Sequence, residues 1–153
     1  MKKTEKKPKL TAKAIRILRK VQAHILEEPK RYNQNDILTY FTEADLEERK
    51  GWAGDNKDIP KCRTIGCIGG WVNVLSKCPI MECDDLNRAA VTLQLDDEQR
   101  HRLFASVDDD PEEQDNGWPE DLSKAYYAAK TPAGRARVGV RRIERFIKTG
   151  GAE

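Results

Sequence analysis

Lys61-Cys62-Arg63-Thr64-Ile65-Gly66-Cys67-Ile68-Gly69-Gly70-Trp71 places two thiols, three glycines and a tryptophan at the entry to an apolar segment. Each glycine inside a helix costs about 1 kcal/mol relative to alanine. A helix that accepts Gly69 and Gly70 in its first turns therefore points to a close approach at that place. The spacing predicts a helix that begins near Thr64 or Gly66 and runs through Trp71, Val72, Val74 and Leu75 to about Lys77, with Pro79 as its stop. Cys62, Thr64, Gly66, Cys67, Gly69, Gly70 and Trp71 are the expected structural residues of this hub.

On either side of it helical signals dominate. Ile15, Leu18, Val21 and Ile25 recur at intervals of three and four, which predicts an amphipathic helix from Thr11 to about Glu28, ahead of Pro29. Asn33 or Asn35 is placed to cap a short helix through Ile37, Leu38, Tyr40 and Phe41, and Thr42 another through Leu46. Gly51 to Asp58 reads as a loop. Asp84 or Asp85 opens a helix with Leu86, Ala89, Ala90 and Leu93 inward. Asp96 followed by Gln99 has the spacing of a capping box. Pro119-Glu120-Asp121 and Thr131-Pro132 each resemble a helix start. The last helix turns Ala136, Val140, Ile143 and Ile147 inward and ends at Gly150-Gly151. No stretch sustains the two-residue alternation of a strand, so a sheet beyond a stray short strand is not expected. The expected fold is all-α: a single compact domain of five to seven helices over 11–150 around the glycine-bearing helix, preceded by a flexible basic arm over 1–10.

Composition narrows the class. A chain of 153 residues with 38% hydrophobic and 35% charged residues suits one small helical domain with solvated charged faces. No apolar run approaches the ~20 residues of a membrane span, so no membrane partner is expected. The basic start is not followed by the apolar run of a secretory signal. A cytoplasmic location with reduced thiols follows. The net charge of +2 conceals segregation. Residues 1–20 are strongly basic, Asp108 to Asp115 strongly acidic, and the last helix basic again.

The order Cys62-x-Thr64-x-x-Cys67-Ile68-x-Gly70-Trp71, followed by Leu93, Leu95, Leu103-Phe104, Trp118-Pro119, Thr131-Pro132 and Arg142-Ile143, resembles a group of small bacterial and phage proteins. Their pattern is Cys-Gly-Thr-x-x-Cys-x-Ala-Gly; Arg63 and Gly69 depart from it. The resemblance implies a compact helical fold and implies no reaction.

Several chemistries fit parts of the chain. Cys62, Cys67, Cys78 and Cys83 would supply four thiolates for a structural zinc ion, but a helix from Cys67 to Cys78 would hold those two sulfurs about 16 Å apart along its axis. Small buried hydrophobes are the plainer role for these thiols. Cys67 at a helix start is a candidate nucleophile, with His101 as base and Asp96 or Asp97 as orienting acid. The same start could bind an anion through the N–H groups of Gly66, Cys67 and Ile68 beside Lys61 and Arg63, unless Thr64 caps it. Arg137, Arg141, Arg145 and Lys148 on one flank of the last helix, with the basic arm, could follow a phosphate backbone. The acidic loop lacks the ligand order of a calcium-binding EF-hand.

The resulting expectation is a non-enzymatic accessory protein of bacterial or phage origin that binds a macromolecule, a protein first, with Arg63, Arg137, Arg141, Arg145 and Lys148 as binding residues. The alternatives are a nucleic-acid-binding protein and a cysteine-dependent hydrolase or transferase using Cys67 and His101. No cofactor is implied.

Overall fold

The computed structural model describes residues 9–35, 38–40, 44, 64–78, 83, 85–107 and 117–153. The expectations for the arm before Lys9, Gly51 to Asp58, Cys62, Arg63, Asp84 and the acidic stretch from Asp108 lie outside these residues. Among the described residues there are six α-helices and one two-stranded ladder. The helices are α1 (Ala12–Glu27), α2 (Ile68–Leu75), α3 (Leu86–Leu93), α4 (Asp97–Phe104), α5 (Glu120–Ala128) and α6 (Pro132–Lys148). A single 3-10 turn, Pro29–Arg31, follows α1.

The helix boundaries follow from local chemistry. Thr11 accepts from the N–H of Ala14 at 3.1 Å and starts α1. Asp85 caps α3 through the N–H of Asn87. Asp96 and Gln99 close both arms of the capping box on α4. Thr131 accepts from Gly134 with Pro132 in the first turn of α6. Such caps contribute about 1 kcal/mol each. Inside the helices, Ala14, Leu18, Val21 and Ile25 form the buried stripe of α1, and Leu10, one residue before its cap, joins the same core.

Two segments depart from the helical reading. Leu38–Tyr40 (β1), expected inside a helix, pairs antiparallel with Thr64–Gly66 (β2), in the register Leu38↔Gly66 and Tyr40↔Thr64. Asn33 accepts from the N–H of Asn35 at 3.1 Å, a local turn that competes with helix initiation. The glycine-bearing helix consequently starts at Ile68, later than Thr64 or Gly66. Thr64 belongs to the ladder, and the cap is Cys67, whose Sγ accepts from the N–H of Gly70 at 3.5 Å. The β-branched pair Thr64-Ile65 favours the extended backbone that the ladder uses.

α2 holds the central position, packing on α1, α3, α4 and β2. Ile68, Trp71 and Val72 are fully buried. A Cβ on Gly69 would lie 2.5 Å from Leu86 Cδ2 and 3.3 Å from the Phe104 ring, so this glycine admits the side chains of α3 and α4. The close approach expected at Gly69 is thus made by neighbouring helices. α1 and α6 run antiparallel, fastened by Gln22 Nε2 donating to the Val140 carbonyl at 3.0 Å and by the Arg19–Glu144 ion pair. α6 also packs on α5.

Candidate functional site

The outer surface of the α1–α6 pair carries several exposed cations. Lys13, Arg16 and Lys20 follow at intervals of three and four on α1, turned about 140–160° from the buried Leu18 at 100° per residue. All three are exposed, and none forms an ion pair among the described residues. On α6, Arg137 and Arg141 are exposed one turn apart, equally free of ion pairs. Arg19 and Glu144 lie at the seam between the helices. The Arg19 guanidinium holds the Glu144 carboxyl below its usual range, and Gln22 and Lys148 add to this.

The other two members of the expected arginine flank have partners. Arg145 reaches α5 and binds Asp121 with both terminal nitrogens, at 2.8 and 2.7 Å. That contact holds the Asp121 carboxyl down. Lys148 lies 3.7 Å from Glu144. Of the expected flank, Arg137 and Arg141 stay without an ion pair among the described residues, as do Lys13, Arg16 and Lys20 on α1, and Arg63 falls outside the described residues.

The expected catalytic set does not converge. Cys67 is 1% exposed and serves as the cap of α2. His101 is exposed on α4 and lines a cleft with Glu98, Arg102, Trp118 and Pro119 that Cys67 does not line. Asp96 is committed to Gln99. The anion site proposed at the start of α2 is occupied from within the fold: Ile68 N donates to Gln34 Oε1 at 3.4 Å and Gly70 N to Cys67. For zinc, α2 separates Cys67 from Cys78, and Cys83 donates its thiol to the Cys78 carbonyl at 3.4 Å. Among the described residues no three His, Cys, Asp or Glu side chains gather in a ligating group.

Two buried polar centres were not legible in the sequence. Gln34, 2% exposed, accepts from the Tyr32 hydroxyl at 3.2 Å and donates to the carbonyls of Phe104 and Ala105. Its own N–H donates to the Tyr126 hydroxyl at 2.9 Å, and its Oε1 also accepts from Ile68 N, so one glutamine ties α2, α4 and α5 to the end of the 3-10 turn. Burial pushes the Tyr32 phenol well above its ordinary value, which keeps it a neutral donor. Arg142 is fully buried beside exposed Arg141. It donates from Nε and Nη2 to the Arg102 carbonyl at the end of α4, at 3.2 and 2.6 Å, and its Nη1 has no partner. Burial, reinforced by nearby Arg145, pushes its pKa down to about 10. A mid-helix glycine, Gly139, was the available sequence signal for the first centre, because it makes room for Tyr32.

No described helix is long and apolar enough to cross a membrane. Compared with family models, curated proteins and solved structures, the chain matches none of them.

Proposed function

We propose that this chain is a non-enzymatic, cytoplasmic accessory protein of bacterial or phage origin that docks on an anionic macromolecule through the basic outer face of α1 and α6. The observation that carries this reading is the set of exposed cations Lys13, Arg16, Lys20, Arg137 and Arg141 on two packed helices, which form no ion pair among the described residues. The sequence alone ranks a protein partner first; the surface shifts the weight toward a nucleic-acid backbone. Tight protein interfaces are built around an apolar or aromatic centre. The large apolar side chains exposed among the described residues are Leu26, Val91 and Tyr127, each on a different helix. A phosphate backbone needs no such centre, since binding through released counterions requires only cations at the right spacing.

The test is anisotropy of labelled mixed-sequence DNA duplex and RNA at several salt concentrations. If about four phosphates are neutralised, affinity falls with a log–log slope near −3.6 on duplex. Arg141→Glu and Lys20→Glu each weaken binding and flatten that slope. Absence of binding at about 50 mM salt, or indifference to both charge reversals, refutes the nucleic-acid reading. A nuclease-resistant acidic protein captured by the same face, and lost in the same variants, would return the protein partner to first place.

A further inference from the structure

We infer that Cys78 and Cys83 form a redox modification site, in which a hydroperoxide joins them as a disulfide and a dithiol reductant parts them again. α2 ends in a Schellman cap. Lys77 takes φ 60°, its N–H donates to the Val74 carbonyl at 3.1 Å, and the N–H of Cys78 donates to the Asn73 carbonyl at 3.0 Å. That cap turns the chain back and fixes Cys78 against the last turn of the helix. The buried side chain of the same Asn73 donates from Nδ2 to the carbonyls of Cys83 and Asp85, at 3.0 and 2.8 Å. One residue therefore holds both cysteines, Cys78 by its backbone carbonyl and Cys83 by its side-chain amide.

The two residues are neighbours as a result. Cys83 Sγ donates to the Cys78 carbonyl at 3.4 Å. A carbonyl oxygen lies about 2.4 Å from its own Cα, so Cys83 Sγ is at most about 6 Å from the Cys78 Cα. A disulfide sets that separation at about 4 Å, which a small shift and a rotation of Cys78 about χ1 supply. Their exposures differ in a way that orders the chemistry. Cys78 is half-buried and lines a cleft of about 340 Å³, ample for a hydroperoxide, whereas Cys83 is buried. The third described thiol, Cys67, lies at the opposite end of α2, a helix about 12 Å long, and cannot compete.

The reaction takes two steps. The Cys78 thiolate attacks one oxygen of the hydroperoxide, so an S–O bond forms, the O–O bond breaks, and the other oxygen leaves as hydroxide or alkoxide. Cys83 then attacks the resulting sulfenic sulfur. An S–S bond forms, the S–O bond breaks, and the oxygen departs as water with the proton that Cys83 gives up. Two electrons have passed from the sulfur pair to the hydroperoxide, and a dithiol returns them by exchange. A resolving thiol this close stops Cys78 short of irreversible sulfinic acid.

Hydrogen peroxide is the probe, added to the reduced full chain at about pH 8, after which remaining thiols are alkylated and the protein is digested with trypsin. Cleavage after Lys77 and Arg88 puts both cysteines in one peptide, over 78–88. The expected result is that peptide lighter by two hydrogens, unalkylated, and restored by dithiothreitol; sulfoxide formation at Met81 adds an oxygen and is separate by mass. In glutathione buffers the folded chain should close the pair at least about tenfold more favourably than the chain in denaturant. Cys83→Ser keeps a hydroxyl to donate to the Cys78 carbonyl and so folds; there peroxide should leave a sulfenic acid on Cys78 that dimedone captures. In Cys78→Ser the buried Cys83 should stay a thiol under the same treatment. None of these readouts depends on what the α1–α6 face binds. Over-oxidation of Cys78 with Cys83 still open to alkylation, a bridge from Cys78 to another cysteine, or no gain over the denatured chain overturns the inference.

Discussion

Replacing Gly139 by alanine sets two effects of opposite sign against each other at one atom. Alanine is the better helix former by about 1 kcal/mol, so on an open face of α6 the change would stabilise the protein. At this position the new Cβ would lie 2.6 Å from both Cζ and Oη of Tyr32, and 2.7 Å from Cε1. The obstacle is the body of a ring that is 3% exposed and meets Tyr126 edge-on at 6.3 Å. It cannot step aside without releasing its hydroxyl from Gln34. Overpacking of this kind costs about 1–3 kcal/mol and the lost hydrogen bond about 1 more, so after the propensity gain the net loss is about 2 kcal/mol. For a chain of this size that lowers Tm by about 4–8 °C. Denaturant unfolding followed by far-ultraviolet circular dichroism reads the difference directly. The double variant Gly139→Ala/Tyr32→Ala should show strong coupling, because without the ring the alanine is harmless. A Gly139→Ala protein as stable as the parent would refute the packing of Tyr32 on α6, and with it the placement of Gln34 as a shared tether.

Other consequences can be measured on the same protein. His24 packs against Trp71 at 4.4 Å with a buried Nε2 that lacks a partner, and burial lowers its pKa from 6.5. The unfolded chain therefore takes up the proton first, so stability is full above about pH 7 and declines as pH falls through 6.5 toward the lower folded value; His24→Phe should flatten that decline. Native-state alkylation read by mass spectrometry should modify half-buried Cys78 well before Cys67, and Cys67→Ala should cost about 1 kcal/mol for the lost cap while Cys67→Ser retains most of it. Gly151 has φ 86° and no room for a Cβ, which would fall 2.5 Å from Gln99 Nε2; Gly151→Ala should lose about 1–2 kcal/mol in thermal unfolding.

The sequence was readable wherever the determining interaction is local. The stripe Leu18, Val21 and Ile25, the Asp96–Gln99 box and the Thr131-Pro132 start are all decided within a turn or two of helix, and each is found where its spacing placed it. Strands of three residues carry no alternation to detect, and Leu38–Tyr40 is extended only because Thr64–Gly66 comes alongside from 26 positions away. The basic flank of α6 shows the same limit. Arg141 and Arg142 are neighbours of identical charge, yet one faces water and the other caps the end of α4, a difference set by where α4 lies. Arg145 and Lys148 likewise take their roles from Asp121 and Glu144, the first of them on another helix. Gln34 left no trace because its partners come from four separate places in the chain.

The seam between α1 and α6 joins segments more than a hundred residues apart. During synthesis α1 emerges more than a hundred residues before α6, whose surface covers Gln22 and its neighbours. Until then the nascent chain displays part of its apolar stripe to solvent, with the cations on its opposite side to keep it dispersed. The order of translation thus makes α1 dependent on a later helix, and the Arg19–Glu144 clasp closes only after α6 has left the ribosome.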